Sequence, residues 1–459
     1  MRSFKDIKVL VVGLGRSGFG AVKLLKALGA KVMVSEQRSL SEEELRALEN
    51  GIFLQMGPHK VELVDEAELI VVSPGVPPEN PLIKRAEALG KRTISEIELT
   101  WQASSHLVPN WIAITGTNGK TTTTTLVDEM LKASGIKVLT GGNIGTAISS
   151  LVVDKLLGPK PESIDWINIE VSSFQLERIE HFRPRISTIL NISEDHLDRY
   201  PDMTSYINAK TNMWKNINGE DMVVLNDDDP IVRELRPPEG AKIYRFSRQR
   251  QLEGAYIKDG KIYIRVEGVE KPVIAVDDLL IKGVHNQENA LASSLIAFLA
   301  GADEEAISHV LRTFPGLPHR LQFVAEIDGV RFYDDSKATN VASVIKSVES
   351  FGVPVILILG GQDKGLDFRP LRRLKNIKAI VAIGEALPKI MGHLDGYFPI
   401  HTGPDMEAAV NIAFSLARDS EVVLLSPGCA SFDMFEDYAH RGRVFQEAVR
   451  QLKGGRVKC

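Results

Sequence analysis

The sequence predicts three consecutive α/β domains, and three observations carry that prediction. At roughly 150 residues per domain, 459 residues are about three domains of chain, more than one hydrophobic core normally organises. Short apolar runs that end in glycine or a polar turn alternate with longer periodic segments, the pattern of parallel strands joined by crossover helices. That rhythm breaks and restarts twice, each time after a stretch of linker composition. Hydrophobic residues at 44% and charged residues at 25% match globular averages, which excludes disordered, collagen-like and coiled-coil chains.

In chain order, residues 8–12, 31–34 and 68–72 read as strands of the first domain. The basic Arg2, Lys5 and Lys8 before the apolar run 9–14 imitate a secretory leader. The run is too short, and no small-residue cleavage site follows before Lys23, so a strand is the better reading. Residues 104–110, with Pro109, form a linker, and the rhythm restarts at 111–114 after a boundary near 108. Residues 166–169 and 186–190 are further strands, and 244–273 reads as a small antiparallel addition. The periodic segment 286–314 runs into 316–321 (GLPHRL), a second linker. Strands then recur at 330–333, 355–359, 379–383 and 422–425. The expected domains are 1–108, 109–315 and 316–459.

Composition narrows the function classes. A net charge of -5, from 55 basic and 60 acidic residues, gives no field suited to a nucleic-acid backbone or an anionic membrane surface. No apolar stretch reaches the about 18 residues of a transmembrane helix, so no membrane insertion is expected. Cys429 and Cys459 have the wrong count and spacing for a disulfide framework or a cysteine zinc site, which fits the cytoplasm.

Two glycine loops carry the chemistry. Gly13-Leu14-Gly15-Arg16-Ser17-Gly18 follows a strand and opens a helix, a turn that lets a pyrophosphate rest on a helix N-terminus. Glu36, at the end of the next strand, is spaced to take a ribose hydroxyl. Read alone, this domain suggests a nicotinamide enzyme, or else a glycine turn serving only strand–helix packing. The second loop is Thr115-Gly116-Thr117-Asn118-Gly119-Lys120-Thr121-Thr122, shorter by two residues than the Walker pattern. Its backbone N–H groups can cradle phosphates, Lys120 can balance their charge, and Thr121 or Thr122 can offer a hydroxyl to Mg²⁺. Glu170 and the cluster Glu194-Asp195-His196-Leu197-Asp198 follow strands and are candidate metal ligands. For the cluster taken alone, capping the first turn of a helix is the commoner use.

Taken together, the phosphate loop, Glu170-Val171-Ser172-Ser173-Phe174-Gln175-Leu176, Asn191 with Asp195-His196-Leu197-Asp198-Arg199-Tyr200, and His285-Asn286 with Asn289 resemble the Mur ligases. Asp334-Asp335-Ser336-Lys337-Ala338-Thr339-Asn340 and Ser426 to Asp433 look like the D-glutamate-adding branch of that family. The resemblance spans the chain and implies a Rossmann-like first domain, a P-loop-like ATPase domain in the centre and a Rossmann-like third domain. It implies small-molecule substrates, namely UDP-N-acetylmuramoyl-L-alanine, D-glutamate and ATP, handled by a monomer. Gly15, Arg16, Ser17, Glu36, Arg38, Ser73 and Gly75 become uridine-diphosphate contacts without redox chemistry, and Asn143 meets the muramoyl part. Gly116 to Thr122 hold the ATP phosphates, with Lys120 on their charge and Thr121 and Glu170 on one Mg²⁺. His196 and Lys210, the latter as a carbamate, hold a second Mg²⁺. Asn286 and Asn289 take adenine, Arg320 reaches the γ-phosphate, and Asp335 and Lys337 face ATP. Thr339, Lys364, Ser431 and Phe432 hold D-glutamate.

Three other readings are open at this stage: a folylpolyglutamate-synthetase-like ligase, a nicotinamide-dependent oxidoreductase and a nonenzymatic nucleotide switch. The 334–340 motif speaks against the first, the second phosphate loop against the second, and the acceptor residues around Lys364 and Ser431 against the third.

Overall fold

The computed structural model describes residues 4–48, 51–195, 199–363 and 365–452. His196 and Lys364 therefore lie outside the described residues. Three sheets follow one another along the chain. The first comprises β1 (Lys8–Val12), β2 (Lys31–Glu36), β3 (Phe53–Met56), β4 (Leu69–Val72) and β5 (Thr93–Ser95), all parallel, in the order β3-β2-β1-β4-β5. The direction of winding reverses beside β1, and in such sheets the crevice outside the strands' carboxyl ends at that point receives ligands. The glycine turn after β1 and the loop after β4 meet there.

The second sheet holds β6 (Trp111–Thr115), β7 (Val138–Gly142), β8 (Trp166–Glu170), β9 (Ile186–Ile189), β10 (Met222–Asn226), β11 (Lys242–Ser247), β12 (Gly254–Lys258), β13 (Lys261–Val266) and β14 (Val269–Ala275). Their order is β14-β13-β12-β11-β10-β9-β6-β8-β7. Strands β6 to β12 pair in parallel, and β12-β13 and β13-β14 are antiparallel hairpins. The expected antiparallel addition is thus present but starts at β12, because Tyr244 lies on the parallel β11. Both hairpin turns, Asp259-Gly260 and Glu267-Gly268, place two residues at positive φ (49° and 71°, 52° and 77°), the backbone twist that two-residue hairpins require.

The third sheet contains β15 (Gln322–Ile327), β16 (Val330–Asp334), β17 (Val355–Gly360), β18 (Ile377–Ile383), β19 (Ile400–Thr402) and β20 (Val422–Leu425), in the order β15-β16-β20-β17-β18-β19. Among the described residues, the edge pair β15-β16 is this sheet's antiparallel strand pair, and the other strands pair in parallel. Central strands such as β1, β6, β17 and β20 are apolar along nearly their whole length because helices cover both faces of the sheet.

The chain forms two compact units. One contains residues 1–192, 199–278 and 289–312, with the first two sheets, whose helices and strands share one apolar core running from Val9 and Leu24 to Trp111 and Ile169. The other contains residues 193–198, 279–288 and 313–459, with the third sheet between two apolar layers, around Phe368 and around Phe445. Among the described residues, no helix is long and apolar enough to cross a membrane.

Candidate active site

The phosphate loop is built by the end of a buried strand and the start of a helix. Strand β6 ends at Thr115, and Gly119 caps the helix Lys120–Ala133 in the left-handed conformation, φ 83°, with no side-chain cap. A Cβ on Gly119 would stand 2.4 Å from Asn289 Oδ1, so glycine is required there by both conformation and space. The uncapped first turn presents backbone N–H groups to an anion. Asn191, after β9, clamps the loop: Thr117 N donates to its carbonyl (2.9 Å), Asn118 N to its Oδ1 (2.8 Å), and its Nδ2 to Asn118 O (3.0 Å). Asn226 Nδ2 holds the neighbouring Leu190 carbonyl at 2.9 Å, and Asp229 Oδ2 accepts from Ile192 N at 3.2 Å. Lys120 folds back over the loop, donating to Gly116 O (2.8 Å) and Thr117 O (2.9 Å). Thr121 is half-buried beside it and Thr122 is buried.

Parallel pairing of β8 with β6 and β7 sets Glu170 level with Ile114 and Gly142, at the carboxyl edge of the sheet. Glu170 is only 3% exposed. Its Oε1 accepts from Asn143 Nδ2 at 2.7 Å and its carbonyl from Asn143 N at 2.8 Å, while Oε2 is buried without a partner. A buried carboxylate oxygen left unpaired is costly, and a divalent cation bound there would satisfy it. Among the described residues no group of three or more His, Cys, Asp or Glu is arranged around a metal. Mg²⁺ binds through one or two carboxylates together with water and substrate phosphates, and Glu170 offers one such carboxylate.

Lys210 is 2% exposed, donates from Nζ to Gly116 O at 3.1 Å and stands 4.5 Å from the Tyr206 ring centre, while the Tyr206 hydroxyl lies 3.2 Å from Thr117 Oγ1. Lys210, on the helix Met203–Thr211, is thus buried against the phosphate loop. Asn289 lies in the same unit, its Oδ1 accepting from Thr123 Oγ1 at 3.4 Å.

In the first sheet's crevice, Ser73 Oγ donates to Gly13 O at 2.7 Å and joins the two loops at the winding reversal. A Cβ on Gly18 would come within 2.0 Å of Gly13 O, so the turn closes only with glycine. Gly15 caps the helix Arg16–Ala27 without a side-chain bond, and a Cβ on Gly15 or Gly75 would meet nothing within 4 Å, so space beside both is open to a ligand. Glu36 spends its carboxylate on backbone, accepting from Leu14 N (2.5 Å) and Arg38 N (3.0 Å). Arg38 donates to Leu14 O at 3.0 Å and pairs with Glu44. Ser17 is half-buried at the turn, and Arg16 Nη1 reaches Gly145 O at 2.6 Å, in the same loop as Asn143. The crevice residues and Glu170 are therefore linked through the segment 143–145.

In the second unit the motif 334–340 follows β16. Asp334 Oδ2 accepts from Gln446 Nε2 (2.8 Å) and lies 2.7 Å from His319 Nδ1. Asp335 Oδ2 accepts from Ser347 (2.6 Å) and Ser426 (2.8 Å), and Oδ1 from Leu321 N (3.2 Å). Burial outweighs these bonds and pushes the Asp335 carboxyl up to about 6. Fully buried Arg441 donates to Ser336 Oγ and to the carbonyls of Ser336, Cys429 and Ala430, tying the motif to the loop 426–431. Lys337 Nζ stands 3.6 Å over the Tyr438 ring. Thr339 is half-buried, Ser431 is buried, and Phe432 is 68% exposed. Arg320 is half-buried next to the left-handed His319, φ 62°. Asn286 Nδ2 donates to Lys282 O at 2.9 Å. Asp195 Oδ2 lies 3.5 Å from Asn340 Nδ2.

Sequence reasoning did not single out the functions of Asn191, Tyr206 and Arg441, each of which acts on residues far away in the chain. Asn191 stood in the sequence only as part of the family resemblance; its hold on the phosphate loop is seen in the structure.

Comparison with known proteins agrees with this geometry. Residues 7–95 match a model of the Mur ligase MurD-like N-terminal domain, 114–297 the Mur ligase middle domain, and 319–429 the Mur ligase glutamate ligase domain. The chain is 43% identical to a UDP-N-acetylmuramoylalanine--D-glutamate ligase of Geobacillus kaustophilus, over 98% of this chain and 99% of that protein. It is 42% identical to one of Acidobacterium capsulatum, over 98% and 97%. Among solved structures, the UDP-N-acetylmuramate-alanine ligase MurC of Thermotoga maritima superposes with a TM-score of 0.59 at 20% identity, covering 97% of this chain and 99% of that one. MurF ligase of the same organism, in complex with ADP, gives 0.58 at 15%, over 97% and 96%.

Proposed function

The chain belongs to the Mur ligase family, and we infer that it joins D-glutamate to UDP-N-acetylmuramoyl-L-alanine with cleavage of ATP, as an enzyme of peptidoglycan synthesis. The folylpolyglutamate-synthetase-like, oxidoreductase and switch readings give way to this one. The observation that carries the chemistry is Glu170, a buried carboxylate with one oxygen unpaired, set beside the phosphate loop and joined to Asn143.

In the proposed reaction an oxygen of the L-alanine carboxylate attacks the γ-phosphorus of ATP. ADP leaves, an acyl phosphate forms, and the neutral amine of D-glutamate attacks the acyl carbon. The tetrahedral intermediate then expels inorganic phosphate and leaves an amide. Carboxylate and triphosphate repel each other, so positive charge must bring them in line. Gly116 to Thr122 cradle the phosphates and Lys120 neutralises them. Thr121 and Glu170 would hold Mg²⁺, which supplies further positive charge at the transferring phosphoryl group. His196 and Lys210 are assigned to a second Mg²⁺. Carbamylated Lys210, formed from the neutral amine and CO₂ with loss of a proton, would present oxygens to the ion, which an ammonium cannot.

Gly15, Arg16, Ser17, Glu36, Arg38, Ser73 and Gly75 are assigned to the uridine diphosphate and Asn143 to the muramoyl group. Glu36 and Arg38 act by shaping the turn around Leu14. Asn286, Asn289, Arg320, Asp335 and Lys337 are assigned to ATP, and Thr339, Lys364, Ser431 and Phe432 to D-glutamate, within functional domains 1–108, 109–315 and 316–459. The enzyme is proposed to work as a cytoplasmic monomer without a nucleic-acid partner, in keeping with its net charge of -5. The test is phosphate release from ATP by the purified protein with each substrate omitted in turn. Release should require the UDP-sugar and D-glutamate together, and Lys120→Ala should lose at least about a hundredfold in turnover. Equal release without UDP-sugar would remove the ligase reading.

A further inference from the structure

A network of side chains in the first compact unit runs from the loop after β4 to the phosphate loop, and it is organised by a residue with no role so far. Arg199 is largely buried. Its guanidinium holds Glu177 two-pronged, Nε to Oε1 at 2.9 Å and Nη2 to Oε2 at 2.6 Å, and Nη1 donates to Val76 O at 3.1 Å. The same group stacks 4.4 Å from the centre of the Phe174 ring. Val76 N in turn donates to Ser73 O at 3.0 Å, so Val76 closes the loop that carries Ser73 and Gly75. Phe174 lies on the one-turn helix Ser173–Leu176, directly after the strand that ends in Glu170, and Glu177 ends that turn.

From there an aromatic stack continues. The Tyr200 hydroxyl donates to Glu177 Oε1 at 2.7 Å, and the Tyr200 ring packs 5.9 Å from Phe174 and 5.4 Å from Tyr206. Tyr206 is the ring beneath Lys210 and the hydroxyl beside Thr117. Every link lies within one compact unit. A planar fork is needed to satisfy two carboxylate oxygens and a carbonyl at once while stacking on a ring, and a lysine ammonium cannot reproduce it. Exposed ion pairs contribute little, but here loss of the fork leaves a largely buried carboxylate and a carbonyl short of partners.

We propose that Arg199 is a positioning residue for the ligation, tying the UDP-sugar loop 73–76 to the aromatic stack that seats Lys210 and Thr117. Sugar substrate and triphosphate are thereby held in mutual register. The proposal rests on the functional reading above.

The test compares wild type with Arg199→Lys and Glu177→Gln. Steady-state kinetics should show the UDP-sugar KM rising and kcat falling by about tenfold each in both variants, with the D-glutamate KM changed by less than about twofold. Calorimetry with UDP-N-acetylmuramoyl-L-alanine alone should show about tenfold weaker binding, and melting temperatures should stay within a few degrees. Folded variants with unchanged kinetic constants and unchanged UDP-sugar affinity would reduce Arg199 to a structural ion pair and overturn the proposal. If Arg199→Lys does not fold, Glu177→Gln decides alone by the same criteria. Should wild type bind the UDP-sugar yet ligate nothing, the functional reading fails while the calorimetric comparison still decides the role of Arg199.

Discussion

Lys210 shows how burial changes the meaning of a residue. Lys210 is 2% exposed and its Nζ donates to a loop carbonyl, and a carbamate would turn the group into an oxygen donor beside the phosphate loop. Lys210→Ala should therefore be nearly inactive and partly restored by acetate or formate in the buffer, measured as phosphate release. If neither acid restores activity and Lys210→Arg stays active, the carbamate assignment is wrong. A second residue carries a pH signature. Loss of water around the His285 ring, with the charges of Lys346 and Arg320 nearby, pulls its pKa from 6.5 down to about 4. The unfolded chain then binds a proton in that interval that the folded chain does not, so this contribution is complete above about 6.5 and is lost as pH falls towards 4. The melting temperature of wild type relative to His285→Gln should rise as pH goes from 4 to 6.5, and a constant difference across that range would contradict it.

At the scale of elements, the phosphate loop depends on a neighbour 73 residues further along the chain. Asn191 makes three bonds to the loop and is itself braced through Leu190 and Ile192. Asn191→Ala should raise the apparent KM for ATP by about tenfold while the UDP-sugar KM stays near wild type, read from initial rates. Equal KM values for ATP would mean that the loop keeps its shape unaided. The loop itself was legible in the sequence because Gly116, Gly119 and Lys120 announce it, and central strands were legible as unbroken apolar runs. The contacts of Asn191, Tyr206 and Arg199 were not, because they are made across the fold and these residue types suit ordinary turns, cores and surfaces. Strand β15 escaped for a local reason: a register shift between Phe323 and Ala325 blurs its period of two.

At the scale of the whole molecule, all three sheets put their proposed chemistry at the carboxyl ends of parallel strands. The uridine-diphosphate loops follow β1, β2 and β4, and the phosphate loop and Glu170 follow or end β6 and β8. In the third, the acceptor motif follows β16 and the loop 426–431 follows β20, neighbours in the sheet, and Arg441 locks the two together. A purely nucleotide-binding protein would have no use for that third construction, which is why the acceptor is the central claim.

The most direct measurement is the rate of phosphate release, with product mass, for the purified protein supplied with ATP, Mg²⁺ and UDP-N-acetylmuramoyl-L-alanine and one amino acid at a time. Lys364 is assigned to the acceptor's side-chain carboxylate, so shortening the chain leaves a charge unpaired, and inverting the α-carbon turns the amine away from the acyl carbon. The account predicts rapid ligation of D-glutamate, with L-glutamate and D-aspartate slower by at least about a hundredfold. Efficient ligation of L-lysine, meso-diaminopimelate or L-alanine in place of D-glutamate would contradict it.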